Sequence, residues 1–291
     1  MSSYIERKDL VQGSPEWHAW RKGKIGASSV APIMGLSPYT TPLQTWEQFK
    51  FGTVKEKTAA MQRGNDLEEK ARSSLNAYLN GSFHFTPTCV ESGYYPWLIA
   101  SLDGVSYNCD GEIDMACEIK CPGRKDHAVA LSGFVPEHYM PQLQHIMYIL
   151  GLPMMVYYSF DGEKGTCVWA ERDDQFIKKM LKFEIDFMES LRDFSPPEPM
   201  DSDWVEDTDA ERIQAARLYR ELQDKQDDIE VEKMRLKSIL TNVPHPRTKV
   251  GGLRIQKVVR KGTVDYGKIE ILKQIDLDAY RKPCVENWRI Y

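Results

Sequence analysis

The stretch Ser101–Lys120, SLDGVSYNCDGEIDMACEIK, constrains this chain more than any other. It reads as a β-hairpin, with one arm from Leu102 to Asn108 and the other from Glu112 to Lys120. Asp110-Gly111 is the kind of dipeptide that a two-residue type I′ turn selects, because both central positions of that turn need φ > 0. With those two residues as the loop, Cys109 pairs with Glu112, Tyr107 with Asp114, Val105 with Ala116 and Asp103 with Glu118. Directly opposed side chains of an antiparallel pair have Cβ atoms about 4.5–5.5 Å apart. The period of two along a strand sets Lys120 on the face of Glu118. The expectation is two carboxylates and an ammonium gathered on one face. Carboxylates that close repel unless a positive charge lies between them, and their oxygens suit Mg²⁺ or Mn²⁺.

A site of this kind needs a scaffold. The 291 residues, 42% of them hydrophobic, suffice for one large domain, or one domain plus an appendage. Ser14-Pro15-Glu16 opens a helix with an N-cap, a proline in the first turn and an acid beside it. Trp17, Trp20 and Arg21 lie on that helix, and Gly26-Ala27-Ser28-Ser29 leads into a short helix ending at Gly35. Further helices are expected from Pro42 to Phe51 and from Lys57 to Leu79, the latter stopped by Gly81. Strands follow at Phe83–Val90 and Leu98–Ser101, then the hairpin. Pro136–Leu150 reads as a helix with Leu143, Ile146, Met147 and Leu150 as its apolar stripe. Met154–Phe160 and Thr166–Glu171 read as strands paired around Asp161-Gly162, and Gln175–Phe194 as an amphipathic helix.

Ser195-Pro196-Pro197-Glu198-Pro199 cannot continue a helix and divides the chain into residues 1–195 and a C-terminal extension, 196–291. Within the extension, Thr208–Leu240 is a charged helix with a thin apolar stripe, expected to be solvated and packed along one side. Lys249–Tyr291 alternates polar and apolar residues and finishes at Trp288-Arg289-Ile290, as a small β-rich cap would.

Composition narrows the setting. Six cysteines (89, 109, 117, 121, 167 and 284) are scattered with no CxxC pair, which suggests no disulfide framework or zinc site and fits a reducing cytoplasm. The start, MSSYIERKDL, carries no apolar signal segment. The most apolar stretch, Ile146–Phe160, is broken by Gly151-Leu152-Pro153 and is too short to span a bilayer. A net charge of −5 does not favour nucleic-acid binding over the whole surface, but leaves room for basic residues confined to one groove. His127, His138 and His145 read as structural, since an oxygen-liganded Mg²⁺ site has little use for imidazole.

The Asp, a hairpin, then Glu-x-Lys resembles the (P)D…(D/E)-x-K signature of restriction-endonuclease-like nucleases, with Leu102 where that pattern usually has proline. The resemblance narrows with the order of five pieces. These are a Trp-His-…-Arg helix before Gly26-Ala27-Ser28-Ser29; Arg63-Gly64-x-x-x-Glu68; Ser101-Leu102-Asp103-Gly104; Glu118-Ile119-Lys120; and Tyr139-Met140-Pro141-Gln142-Leu143-Gln144. Together they resemble the phage lambda exonuclease/YqaJ-type viral recombinase family over about two thirds of the chain. Cys117 and Cys121 lack two further ligands nearby, so the iron–sulfur cluster of some relatives is not expected.

The resemblance implies an α/β (α+β) fold, a restriction-endonuclease-like core with a central mixed β-sheet flanked by helices. It implies a metal-dependent exonuclease that digests one strand of linear duplex DNA from its 5′ end, releasing 5′-mononucleotides and leaving 3′ single strands. Its partners would be DNA ends and a single-strand annealing protein, its assembly a ring-shaped trimer, and its location the cytoplasm of a bacterial host. Asp103, Glu118 and the Ile119 carbonyl would be metal ligands, with Glu68 holding a second ion. Lys120 would orient or deprotonate the attacking water and Gln142 would stand near it, while Arg21, Ser28 and Ser101 would receive the 5′-phosphate. Two Mg²⁺ ions about 3.5–4 Å apart would clamp the attacking and leaving oxygens. Two alternatives stay open from the residues alone: an endonuclease of the same fold, and a non-catalytic module that binds DNA ends.

Overall fold

The computed structural model describes residues 4–52, 58–265, 268–275 and 280–282. Cys284 and the terminal Trp288-Arg289-Ile290 lie outside the described residues. The chain forms two compact units that divide between Glu206 and Asp207.

The first unit is built on a mixed sheet flanked by helices, as expected. In chain order its strands are β1 (Tyr4–Glu6), β2 (Ile25–Gly26), β3 (Thr86–Ser92), β4 (Leu98–Tyr107), β5 (Ile113–Lys120), β6 (Met154–Phe160) and β7 (Gly165–Glu171). They run in the spatial order β1-β3-β4-β5-β6-β7, and β2 adds to β4 in parallel. β5 and β6 are also parallel, so the chain between them must cross over; α5 (Arg124–Leu131) and α6 (Met140–Leu150) make that crossing. The stretch read as one helix from Pro136 instead begins as a 3₁₀ turn, Glu137–Tyr139, before α6. The segment Leu98–Ser101 and the first hairpin arm form one continuous strand.

Each face of the sheet has its own core. On one side, Leu98, Ala100, Leu102, Val105, Ala116 and Tyr157 pack with Leu143, Ile146 and Met147 of α6 and with Ile177, Met180 and Phe187 of α7 (Asp174–Asp193). On the other, Ala71 and Leu75 of α4 (Ala59–Tyr78) meet Phe85, Met115, Cys117, Ile119, Val156 and Tyr158. The alternation of β5 between these two cores is the period of two of a strand buried on both faces. α2 (Val30–Ile33) and α3 (Pro42–Phe51) join the first core through Val30, Ile33 and Trp46, while Trp20 of α1 (Pro15–Arg21) packs with Cys89 and Ile99. α1 carries the expected cap, Ser14 accepting from the Trp17 N–H, and Thr41 caps α3 in the same way, accepting from the Gln44 N–H.

The hairpin departs from its expected turn. Asn108 and Glu112 bond across a three-residue loop, and only Gly111 there has positive φ, at 78°. The Asn108 Oδ1 accepts from the N–H groups of Asp110 and Glu112, which stabilises this wider loop. Tyr107 therefore pairs with Ile113, not with Asp114, and Cys109 has no partner opposite it in the ladder. A register shift between Ser106 and Tyr107 then restores Val105 to Ala116 and Gly104 to Cys117.

The second unit contains α8 (Ala210–Thr241) and a two-stranded hairpin, β8 (Arg247–Val250) with β9 (Leu253–Gln256). Gly251 and Gly252 turn that hairpin with φ of 54° and 82°, as a two-residue primed turn requires. No residue of α8 is buried, which differs from the expected packing along one side. After β9 the described residues form no further strand.

Candidate active site

The site lies where β4 and β5 part. Along β3 and β4, Thr88 pairs with Leu102 and Thr86 with Val105, so Asp103 and Gly104 together oppose Pro87. Two residues facing one is a β-bulge, a device that re-aims a side chain. Proline suits the position because it has no N–H to leave unpaired. Gly104 is required there: a Cβ would lie 2.6 Å from the Phe85 Cβ and 2.7 Å from the Cys117 Sγ. Beyond Gly104–Cys117 the β4–β5 ladder stops, and the Asp103 carboxylate takes the Ile119 N–H at 2.8 Å. In a strand, the N–H and C=O of one residue point to the same side, so the Ile119 carbonyl is also aimed into this gap.

Glu118 sits beside it, 2% exposed. Its Oε1 accepts from the Lys120 Nζ and from the Gln142 Nε2 of α6, while its Oε2 is buried without a hydrogen-bond partner. Burial, then the nearby Asp103, pushes the Glu118 carboxyl up to about 7. Burial likewise raises Asp103. For Lys120, burial acts downward, but Glu118 and Asp103 outweigh it and hold the ammonium firmly charged. That ammonium also rests 5.5 Å from the centre of the Tyr139 ring.

Glu68, on α4, is turned to Arg72, so the ordinary i,i+4 pairing is realised. It nonetheless belongs to the same electrostatic group: burial and Asp103 raise its carboxyl. The pairing of Arg72 with Glu68 follows from their spacing, whereas the reach of Arg72 to β4 does not. The Arg72 Nη2 donates to Glu68 and its Nε to the Asp103 carbonyl at 2.6 Å, so one guanidinium fixes an acid of α4 against the bulge of β4.

A second cluster stands two residues back along β4. The Ser101 hydroxyl accepts from the Trp17 Nε1 at 2.8 Å and from the Arg21 Nη1 at 3.2 Å. The guanidinium of Arg21 lies over the Trp17 ring, 4.5 Å from its centre, and against Gly26, where a Cβ would come within 2.8 Å of Nη2. Burial lowers the pKa of Arg21, and no carboxylate pairs with it among the described residues. A largely desolvated cation without an anion is a place for one. Ser28, in the 3₁₀ turn after Gly26, is exposed and makes no hydrogen bond to this pair. Trp17 could have been flagged from its place four residues before Arg21 on one helix face.

The three histidines stand apart. His127 bonds the Ser159 Oγ, His138 faces Asp126, and His145 is buried between Glu184 and the Ile99 carbonyl.

Among the described residues no three His, Cys, Asp or Glu side chains converge to cage an ion by themselves. What they offer is a buried carboxylate with one unpartnered oxygen, a half-buried carboxylate beside it and a strand carbonyl. That set fits Mg²⁺, which commonly takes one or two carboxylates and completes its shell with water and substrate phosphate.

The YqaJ-like viral recombinase domain matches residues 16–153, which contain every residue of both clusters, so the chain is similar to that family over just under half of its length. YqaJ of Bacillus subtilis strain 168, an uncharacterized protein, is 26% identical over 186 residues, 62% of this chain and 57% of its own. The chain therefore spans little more than half the length of that curated relative. Among solved structures, LHK-Exo in complex with dAMP superposes with a TM-score of 0.52 at 27% identity, covering 62% of this chain and 94% of its own. LHK-Exo from Laribacter hongkongensis, an alkaline exonuclease, gives a TM-score of 0.49 at 28% identity over the same shares in its other structure. The mixed sheet is thus the restriction-endonuclease-like core that the sequence leads one to expect. Among the described residues no helix is long and apolar enough to cross a membrane.

Proposed function

We propose that this protein is a Mg²⁺-dependent exonuclease that digests one strand of linear duplex DNA from its 5′ end and releases 5′-mononucleotides. The observation that carries the reading is Glu118: a buried carboxylate with Lys120 and Gln142 on one oxygen and nothing on the other, beside Asp103. The match to an alkaline exonuclease fold, solved in one case with a mononucleotide, supports it.

Asp103, Glu118 and the Ile119 carbonyl would hold the ion, with Glu68 the acid nearest to a second. A bound divalent cation would supply Lewis-acid stabilisation of the phosphate and a water of lowered pKa. The protein's own groups do the rest. Lys120, kept charged by two acids, places a fixed positive charge where the scissile phosphate gathers negative charge. Gln142 holds the Glu118 oxygen that Lys120 also touches, and so fixes the direction of the other one. Arg72 keeps Glu68 and the bulge in place. Arg21 and Ser101 would receive the terminal 5′-phosphate, a planar fork and a hydroxyl being suited to its oxygens, with Ser28 at the open side. Holding the freshly exposed phosphate after each cut would favour processive digestion and leave a 3′ single strand for an annealing partner. A closed ring of three copies around the duplex would explain how a chain of net charge −5 stays on DNA.

The test is a digest of end-labelled linear duplex bearing a 5′-phosphate or a 5′-hydroxyl, beside closed circular duplex, with Mg²⁺, Mn²⁺ or chelator. Mononucleotide release from the linear 5′-phosphorylated end, in the presence of metal alone, is expected. Cleavage of the closed circle would assign an endonuclease instead, and end binding without release in either metal would leave only a DNA-end-binding module.

A further inference from the structure

α8 is 32 residues long and buries none of them. Ile213, Tyr219, Val231 and Met234 are dispersed around it, but six further apolar side chains fall on two regular rows. Ala215, Leu222, Ile229 and Leu236 stand seven residues apart, and Leu218 and Ile239 fall on a second row of the same spacing. Leu218, Leu222, Ile229, Leu236 and Ile239 are between 42% and 64% exposed. A repeat of seven sustained over four heptads is the seam of a helix that faces another helix. The second row has two charged members, Lys225 and Glu232. Glu232 is held by Arg235 at 2.7 Å, whereas Lys225 has no ion pair among the described residues.

We propose that α8 pairs antiparallel with α8 of a second copy of this chain. The charges choose the direction. In a parallel pair each row faces itself, so Lys225 would meet the partner's Lys225 and Glu232 the partner's Glu232, two like-charge contacts inside the seam. An antiparallel pair sets one row against the other. Centred on Asp227, it places Ala215 against the partner's Ile239, Leu218 against the partner's Leu236, Leu222 against the partner's Glu232, and Lys225 against the partner's Ile229. Each Lys225 then lies one layer from the partner's Glu232, twice by symmetry, while its methylene stem covers apolar surface. Charged seam residues commonly set register and orientation in this way.

The test measures the mass of the full chain in solution by light scattering and by sedimentation over a concentration series. The wild type is expected to have twice the mass of the Leu222→Asp/Ile229→Asp variant. Charge exchange keeps the helix and reads the direction. Lys225→Glu should weaken association about tenfold or more, and Lys225→Glu combined with Glu232→Lys should restore it. Equal masses for wild type and the seam variant would overturn the pairing. Association unaffected by either charge variant would overturn the antiparallel arrangement, because a parallel seam keeps like against like in every case.

Discussion

The Ile119 N–H donates to Asp103 Oδ2 across 2.8 Å, just past the last β4–β5 pair of the ladder. A carboxylate so placed is oriented by the main chain of the strand that carries Glu118. Asp103→Asn keeps the size and can still accept from Ile119, but removes the charge. Mononucleotide release in Mg²⁺ is expected to fall about 10²-fold or more, with the circular dichroism spectrum unchanged. Wild-type turnover in this variant would remove Asp103 from the proposed mechanism.

Gly104 carries the bulge. Alanine there meets Phe85 and Cys117 at distances no real Cβ tolerates, with both neighbours buried. Gly104→Ala is expected to destabilise the fold by about 1–3 kcal/mol, as overpacking does. A denaturant midpoint equal to that of the wild type would mean that β4 relaxes without cost.

The raised carboxyl of Glu118, about 7 against an ordinary value of 4.5, inverts the usual acid behaviour. The folded protein holds this proton more tightly than the unfolded chain. The resulting stability is complete below about pH 4.5 and is lost as pH rises through about 7. In chelator, the melting temperature of the wild type minus that of Glu118→Gln should therefore decline from pH 5 to pH 8. Added Mg²⁺ should reverse the decline by pairing with the ionised carboxylate. A pH-independent difference would show that Glu118 titrates normally.

Arg21 has Trp17 on its face and Ser101 at its edge, and no acid among the described residues. Arg21→Ala is expected to lower the preference for 5′-phosphate over 5′-hydroxyl ends by about 10–10²-fold, the worth of a charge-assisted bond of about 1.5–3 kcal/mol. The effect should fall on KM for phosphorylated ends. An unchanged ratio between the two ends would show that the phosphate is held elsewhere.

Trp17→Phe keeps the ring under Arg21 and deletes one donor to Ser101. A loss of about 1 kcal/mol in stability is expected from urea unfolding. Stability equal to that of the wild type would mean that water replaces the indole without cost.

Val105 opposite Ala116 was legible from the hairpin, yet through two departures that offset each other. The loop took three residues where Asp110-Gly111 suggested two, because the Asn108 Oδ1 accepts from both the Asp110 and the Glu112 N–H groups. A register shift at Ser106–Tyr107 then gave the residue back. A period of two sees only the parity of a pairing, so it reached the right face by a route the chain does not take. Gln142 looked like a residue on the edge of an apolar stripe. Its role depends on α6 crossing over β5, which no local pattern encodes. The same holds for Arg72, whose signal in sequence was only its spacing from Glu68, and for Trp17, which reaches Ser101 across 84 residues of chain. Arg21 and Ser101 are brought together as expected, whereas the Ser28 hydroxyl stands clear of both.

Ser101 and Asp103 share one strand with a single residue between them, so their separation is set by the pitch of the backbone, about 7 Å for two residues. In the proposed reaction this makes β4 a gauge: the end of the substrate rests at one mark and is severed at the next. The stride of the enzyme, one sugar–phosphate unit, would then be written into covalent geometry instead of depending on how a loop happens to close.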